Sequence, residues 1–226
     1  MDFRLALAML RARAMFDNLR EDLRRLGTRP AQQLAGVVLS PGAWATVGYR
    51  VTRWLHTAAL PAPLRLAAKV IEKLVPNAVI IATNIQIPPA TSIGPGLFIA
   101  HAGYVVMSYE TKIGSHCTVT QGVTLGHGAG GGRNRTGSPR IGNRVYLGPG
   151  SIVIGDIEVG DDALIGPGAV VVRSVPPRAV VVGNPARVIS YKGSFDLIQY
   201  PGMESDPARQ ASLEAGARQE AARRLD

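Results

Sequence analysis

The sequence predicts a mainly β protein with an α-helical N-terminal region, the β part being a solenoid of short parallel strands. Three observations carry this. Over residues 141–188 an aliphatic side chain recurs every sixth position, as Ile141, Leu147, Val153, Val159, Ile165 and Val171. Glycine follows directly at 142, 148, 160 and 166, where a tight turn excludes a side chain. Upstream of residue 79 that beat is absent, and apolar residues mix instead with Arg, Lys and few glycines. A period of six is too long for one helix face and too sparse for alternation along one strand. It fits three short strands per coil, each burying one aliphatic residue, with coils stacked about 4.8 Å apart and stable only against their neighbours.

The elements follow in order. The first 28 residues, with Leu5, Leu10, Phe16, Leu19 and Leu23 among charged ones, predict an amphipathic helix, for which Gly27 and Pro30 are stops. Further helices are predicted over residues 43–60 and 63–74, completing an α-helical domain over residues 1–78. The solenoid is assigned to residues 79–190, entering at Ile81 and continuing through Ile87, Ile93, Ile99, Ile113, Val119 and Leu125. Two extra residues between Ile99 and Ile113 predict a bulge over residues 102–109. Smaller or aliphatic residues such as Ser151, Ile157, Ala163, Ala169 and Val175 fill the remaining interior slots. The Gly-, Arg- and Asn-rich stretch over residues 127–140 has no apolar period to bury and reads as a projecting loop. Residues 191–226 are a C-terminal tail, whose Ala-, Arg- and Glu-rich part after Pro201 reads as a short helix or a frayed end.

The 226 residues carry a formal charge of +9, which suits a nucleic acid, an anionic membrane or a phosphorylated cofactor. Zinc-finger spacing, a recognition helix and aromatic stacking motifs are all missing, so a nucleotide cofactor's phosphates fit best and nucleic acid is not expected. No stretch has the roughly 18 uncharged apolar residues that span a bilayer, and Asp2 and Arg4 interrupt the start where a signal peptide would be apolar. No membrane association and a cytoplasmic location are the expectations. The single cysteine, Cys117, occupies a small interior slot and reads as packing. The four histidines have no ligand spacing, so no metal is expected.

Three ordered motifs are more specific. Ile93-Gly94-Pro95-Gly96-Leu97-Phe98-Ile99-Ala100-His101, then Gln121-Gly122-Val123-Thr124-Leu125-Gly126, then Val182-Gly183-Asn184-Pro185-Ala186-Arg187-Val188 resemble successive signatures of bacterial serine O-acetyltransferases, which are hexapeptide-repeat acyltransferases. The similarity extends roughly from Leu19 to Val188. It implies a left-handed parallel β-helix behind the helical domain. It also implies homotrimers, some paired into dimers of trimers, with acetyl-CoA lying in grooves between neighbouring β-helices. In this resemblance His101 is the general base that takes a proton from the acceptor hydroxyl. Imidazole, with a reference pKa of about 6.5, suits that task.

The chain departs from the family pattern in several places together. Ala100 stands where an aspartate precedes the base, and Gln86 where a second aspartate is expected. Ser138 stands where a histidine helps hold the substrate carboxylate, and Tyr109 where a glutamate is expected, with Glu110 one position on. Gln86, Tyr109, Glu110, His127 and Ser138 are therefore the candidate acceptor-binding residues. Candidate acetyl-CoA contacts are Gly122, Gly126, His127, Gly128, Gly148 and Gly166 at the turns, with Arg144 and Arg187 for phosphate. Backbone N–H groups near Gly122, Gly126 and Gly128 are candidate oxyanion donors.

The expected activity is CoA-dependent O-acetyl transfer to serine, a serine-like compound or another small-molecule acceptor. The alternative is a catalytically inactive CoA-binding or oligomeric scaffold. Family members that bind cysteine synthase do so through a C-terminus ending in isoleucine. This chain ends Arg223-Arg224-Leu225-Asp226, which argues against that complex.

Overall fold

A computed structural model describes residues 3–58, 60–129 and 136–223. Four helices lead the chain: α1 (Phe3–Arg24), α2 (Pro30–Leu39), α3 (Pro41–Thr57) and α4 (Ala62–Thr83). The helix α2 departs from the expectation that Pro30 is only a stop. Proline also suits the first turn of a helix, where its missing N–H needs no partner, and Pro30 opens α2 in that way. Ser40 caps α3, its hydroxyl accepting from the Ala43 N–H at 3.4 Å. Asn84, at φ 55°, ends α4 in the left-handed conformation that closes many helices.

Among the described residues fourteen parallel strands then wind in coils of three, forming three sheets. The first sheet contains β1 (Ile85–Gln86), β4 (Val105–Met107), β7 (Thr124–Gly126), β10 (Ile152–Ile154) and β13 (Val170–Val171). The second contains β2 (Ser92–Ile93), β5 (Lys112–Ile113), β8 (Arg140–Ile141) and β11 (Glu158–Val159). The third contains β3 (Phe98–Ile99), β6 (Thr118–Val119), β9 (Tyr146–Leu147), β12 (Leu164–Ile165) and β14 (Val180–Val182), and β15 (Arg187–Ser190) closes it antiparallel. The hexad residues line the interior: Val119, Leu125, Leu147, Val153, Val159 and Ile165 are fully buried. Ser151, Ile157, Ala163, Ala169 and Val175 are buried too, as their spacing predicts.

Register shows where the coil departs from its 18-residue turn. Val106 pairs with Thr124, Arg140 with Glu158 and Tyr146 with Leu164, each 18 apart. Ile99 pairs with Val119 and Ile85 with Val105, so the first coil holds two extra residues. They sit at residues 100–104, earlier than the predicted bulge, because β4 has already resumed at Val105. Thr118 pairs with Tyr146, 28 residues on, which leaves a ten-residue insertion before β8. The antiparallel bridge between Gly128 and Gly137 closes the neck of that loop. Residues 130–135, including Arg133 and Arg135, lie outside the described residues.

The reading of where the solenoid begins changes. Ile81 does not begin the solenoid: it lies in α4 with 83% of its surface exposed, and Ile85 opens the first coil. Its six-residue offset from Ile87 is fortuitous, since the helical phase runs on to Asn84. The tail takes the helical alternative: helix α5 (Pro207–Arg223) follows a segment packed on the coil, with Ile198 at 2% exposure. Apolar Ile198 and the aromatic Tyr200 give it something to bury, which a frayed end lacks.

Helices and coil are joined through buried polar groups. Arg50 on α3 holds both oxygens of Asp22, at 2.7 and 3.0 Å, and donates to the Ile93 carbonyl at 2.7 Å and the Gly94 carbonyl at 2.6 Å. Asp22 also accepts from the Leu97 N–H at 2.8 Å. Burial nonetheless pushes the Asp22 carboxyl above its usual range, with Arg50 opposing that shift. A charge pair desolvated this way fixes geometry more than it adds stability.

Candidate active site

The first sheet separates two corners of the coil, and the candidate residues divide between them. At the corner joining third sheet to first, the two inserted residues throw His101 outward. It is exposed, as is Tyr104 at φ 50°. Ala100 beneath it remains in the ladder, its N–H donating to Val119 O at 3.0 Å. The bulge is what frees an imidazole from a chain otherwise committed to packing.

Below His101 the same corner forms a staircase of turns. The Gly122 N–H donates to Gly103 O, the Gly150 N–H to Gln121 O and the Gly168 N–H to Pro149 O, at 3.0, 2.9 and 2.8 Å. A Cβ on Gly150 or Gly168 would meet no atom within 4 Å, and on Gly183 only the Pro185 oxygen at 3.8 Å. These three exposed glycines leave a smooth open edge down the solenoid; the sequence points to Gly183 through its motif, and not to Gly150 or Gly168. Their positive φ values, 68°, 65° and 94°, explain the residue choice, while the open space beside them admits an extended ligand.

The expected cofactor residues fare unevenly. Gly148 and Gly166 belong to the same corner but sit inside the stack, where a Cβ would meet Ile165 O and Val182 Cγ1, both at 2.6 Å. Gly126 lies in β7, where a Cβ would come within 3.1 Å of Ile154 Cγ1. Arg187 is exposed and near the end of the coil. Arg144 is corrected: it is buried at the corner between second and third sheets, gripping Asp162 at 2.6 and 2.9 Å. That hydrogen-bonded pairing holds its guanidinium firmly charged and leaves it committed to the protein rather than to phosphate. The oxyanion donors change as well. The Gly122 N–H is used by Gly103 O, and the Gly128 N–H donates to Gly137 O at 2.8 Å.

The other corner, joining first sheet to second, gathers four of the five acceptor candidates. Because Met107 pairs with Leu125, Tyr109 comes beside His127, their rings nearly parallel with centroids 6.5 Å apart. His127 and Ser138 flank the Gly128–Gly137 bridge directly opposite one another, and Nδ1 of His127 lies 3.2 Å from Ser138 Oγ. The same Nδ1 is 3.2 Å from Glu110 Oε2. Ser108, which the sequence reading missed, donates to Ser138 Oγ at 2.7 Å and contacts Thr111 at 2.9 Å. Its only signal was register, one residue past a buried Met107. Gln86, in β1, is exposed on the first sheet itself, paired with Val106 and apart from this cluster.

Cys117 is fully buried, donates to the Gly142 carbonyl at 3.1 Å and has its thiol pushed up to about 12 by desolvation. It is a packing residue. Among the described residues no group of three His, Cys, Asp or Glu could hold a metal ion, and no helix is long and apolar enough to cross a membrane.

A stacked three-strand coil with an exposed histidine at one corner and a Gly-rich loop at the next defines a hexapeptide-repeat transferase. The family model described as "Bacterial transferase hexapeptide (six repeats)" matches residues 138–173. The chain is 35% identical over 199 residues to a serine acetyltransferase of Synechococcus elongatus, covering 86% of this chain and 78% of that one. It is 37% identical over 191 residues to a serine acetyltransferase of Mycobacterium tuberculosis, covering 80% and 79%. The crystal structure of serine acetyltransferase from Brucella abortus superposes with a TM-score of 0.69 at 27% identity, covering 84% of this chain and 75% of that one. The chain belongs to the serine acetyltransferase family, and it is an acyltransferase. Membership on this scale does not favour the inactive-scaffold alternative.

Proposed function

We propose that this protein transfers the acetyl group of acetyl-CoA to the hydroxyl of serine or a serine-like small molecule, with His101 as general base. The observation that carries the assignment is the placement of His101: an inserted pair of residues ejects this one imidazole at the head of the open glycine edge. Acetyl-CoA supplies an activated thioester carbonyl. His101 takes the proton as the acceptor oxygen bonds to the acetyl carbon, the C–S bond breaks, and CoA leaves as its thiol. The residues fit an extended donor, since Gly150, Gly168 and Gly183 leave its path clear and Arg187 lies exposed near the end for phosphate.

We read the coil as a left-handed β-helix and the assembly as a homotrimer, which pairing of trimers would extend. The two corners support this. Four residues of strand, at about 3.3 Å each, put roughly 13 Å between Tyr104 and Ser108. One chain therefore does not bring His101 and His127 onto the same small acceptor. A neighbouring copy presenting its His127 corner to this His101 corner completes the cleft, where Gln86, Tyr109 and His127 then meet the acceptor. A cytoplasmic location agrees with acetyl-CoA as donor.

Purified protein with acetyl-CoA and a panel of L-serine, homoserine, amino alcohols and sugars tests the reading. L-Serine or a close analogue should be the preferred acceptor, and His101→Ala should lower kcat by about 10²- to 10⁴-fold. Normal turnover by His101→Ala would overturn the base assignment.

A further inference from the structure

His127 differs from His101 in having its ring held from behind. Its Nδ1 faces two oxygens at once, Glu110 Oε2 and Ser138 Oγ, each at 3.2 Å. Only the Ser138 contact has hydrogen-bond geometry, but a bare lone pair on Nδ1 would face the Glu110 carboxylate, which can only accept, so the hydrogen belongs on Nδ1. Ser138 agrees with that choice: its oxygen receives the Ser108 hydroxyl at 2.7 Å and keeps a lone pair for the imidazole. Thr111 in turn contacts Ser108 at 2.9 Å. Tyr109 lies nearly parallel to the ring, and the Gly128–Gly137 bridge fixes the backbone on which both His127 and Ser138 stand. The ring is thereby constrained in position, plane and tautomer, and among the described residues its Nε2 has no partner. With about a third of the His127 side chain exposed, that nitrogen is reachable.

We propose that Glu110 and Ser138 are positioning residues rather than acceptor contacts. They hold His127 as the Nδ1–H tautomer so that Nε2 accepts a hydrogen bond from an N–H or O–H donor of the acceptor substrate. The inference rests on the acetyl-transfer reading and refines which residues of this corner touch the acceptor. Ser108 backs Ser138 and does not reach the substrate. His101 moves the proton in the reaction, while His127 selects and orients the molecule that carries it.

The experiment pairs steady-state kinetics with ¹⁵N NMR of the histidine ring nitrogens in the full-length protein. Expected results are a protonated Nδ1 at His127, and loss of that signature in Glu110→Leu, which leaves no acceptor at this position. Glu110→Leu, Ser138→Ala and His127→Phe should each raise KM for the acceptor roughly tenfold, the effect of one lost hydrogen bond, and leave KM for acetyl-CoA unchanged. Ser138→Thr, which keeps the hydroxyl, should restore the wild-type value. Acceptors lacking the amine or an extra hydroxyl separate the two donor types: whichever group His127 reads, its removal should abolish the sensitivity to His127→Phe. A hydrogen on Nε2 in the wild type, or an unchanged acceptor KM in Glu110→Leu, would overturn the proposal while leaving the dependence on His101 intact. If no acceptor were acetylated, the broader reading would fall, and the ring-nitrogen spectrum would still decide how His127 is held.

Discussion

The α-carbon of Gly42 is pressed against the carbonyl oxygen of Ile99, so that a methyl group at Gly42 would collide with it. Gly42 is the second residue of α3, and Ile99 ends β3 two residues before His101. The helical domain thus bears directly on the strand that launches the proposed base. Gly42→Ala should destabilise by about 1–3 kcal/mol through overpacking. It should also lower kcat, because the strand must shift for the methyl to fit. Thermal unfolding and steady-state rates check both, and a variant with wild-type Tm and kcat would show that this contact is not rigid.

Arg144 serves the fold and not the cofactor. Arg144→Leu strands Asp162, which has no exposed side-chain surface, so a loss of about 3–5 kcal/mol is expected. The variant's KM for acetyl-CoA, measured at a temperature where it remains folded, should match the wild type. A marked rise in that constant would return Arg144 to the cofactor site.

His116 couples stability to pH. Its ring stacks on Tyr200 with centroids 4.0 Å apart, and burial followed by the Arg25 charge lowers its pKa below the ordinary 6.5. Glu21 and Asp206 pull the other way, and Arg144 adds to the lowering. The folded protein therefore keeps this imidazole neutral at pH values where the unfolded chain binds a proton. Stability from this group is complete above the unfolded pKa and declines as pH falls through 6.5, levelling off below the folded value. The slope is at most about 1.4 kcal/mol per pH unit. Denaturant unfolding of His116→Phe between pH 5 and 8 should show a flatter profile than wild type, and an identical profile would refute the coupling.

Cys117 should resist alkylation in the native state, since its thiol is fully buried and pushed up to about 12. Iodoacetamide should label it only after unfolding, as mass spectrometry of the tryptic peptide would read. Rapid native labelling would mean that the coil opens at this level.

Much of the solenoid was legible because its physics is local and repetitive. Each coil presents the same problem to its neighbour, so Val119, Leu147 and Ile165 declare their burial by spacing alone. Ile81 shows the limit of that signal. It keeps the beat with Ile87, yet helical hydrogen bonding continues to Asn84 and carries it to the surface. His101 could be picked out because an insertion interrupts the period there. Ser108 could not, since nothing distinguishes its hydroxyl until parallel register sets it beside Ser138. Arg144 was misread for the opposite reason: a basic residue at a turn looks available until Asp162, 18 residues on, is stacked beneath it.

The sequence by itself determined the coiled β architecture, the helical start, the family and the histidine at the bulge, because each is written in spacing or in an ordered motif. Only the tertiary structure decided that the tail packs against the coil, that Arg144 is spent on Asp162, and that Glu110, His127 and Ser138 share one nitrogen. Those outcomes depend on residues a coil or a loop apart in the chain, and a hydrogen bond is decided by a few tenths of an ångström that no periodicity encodes.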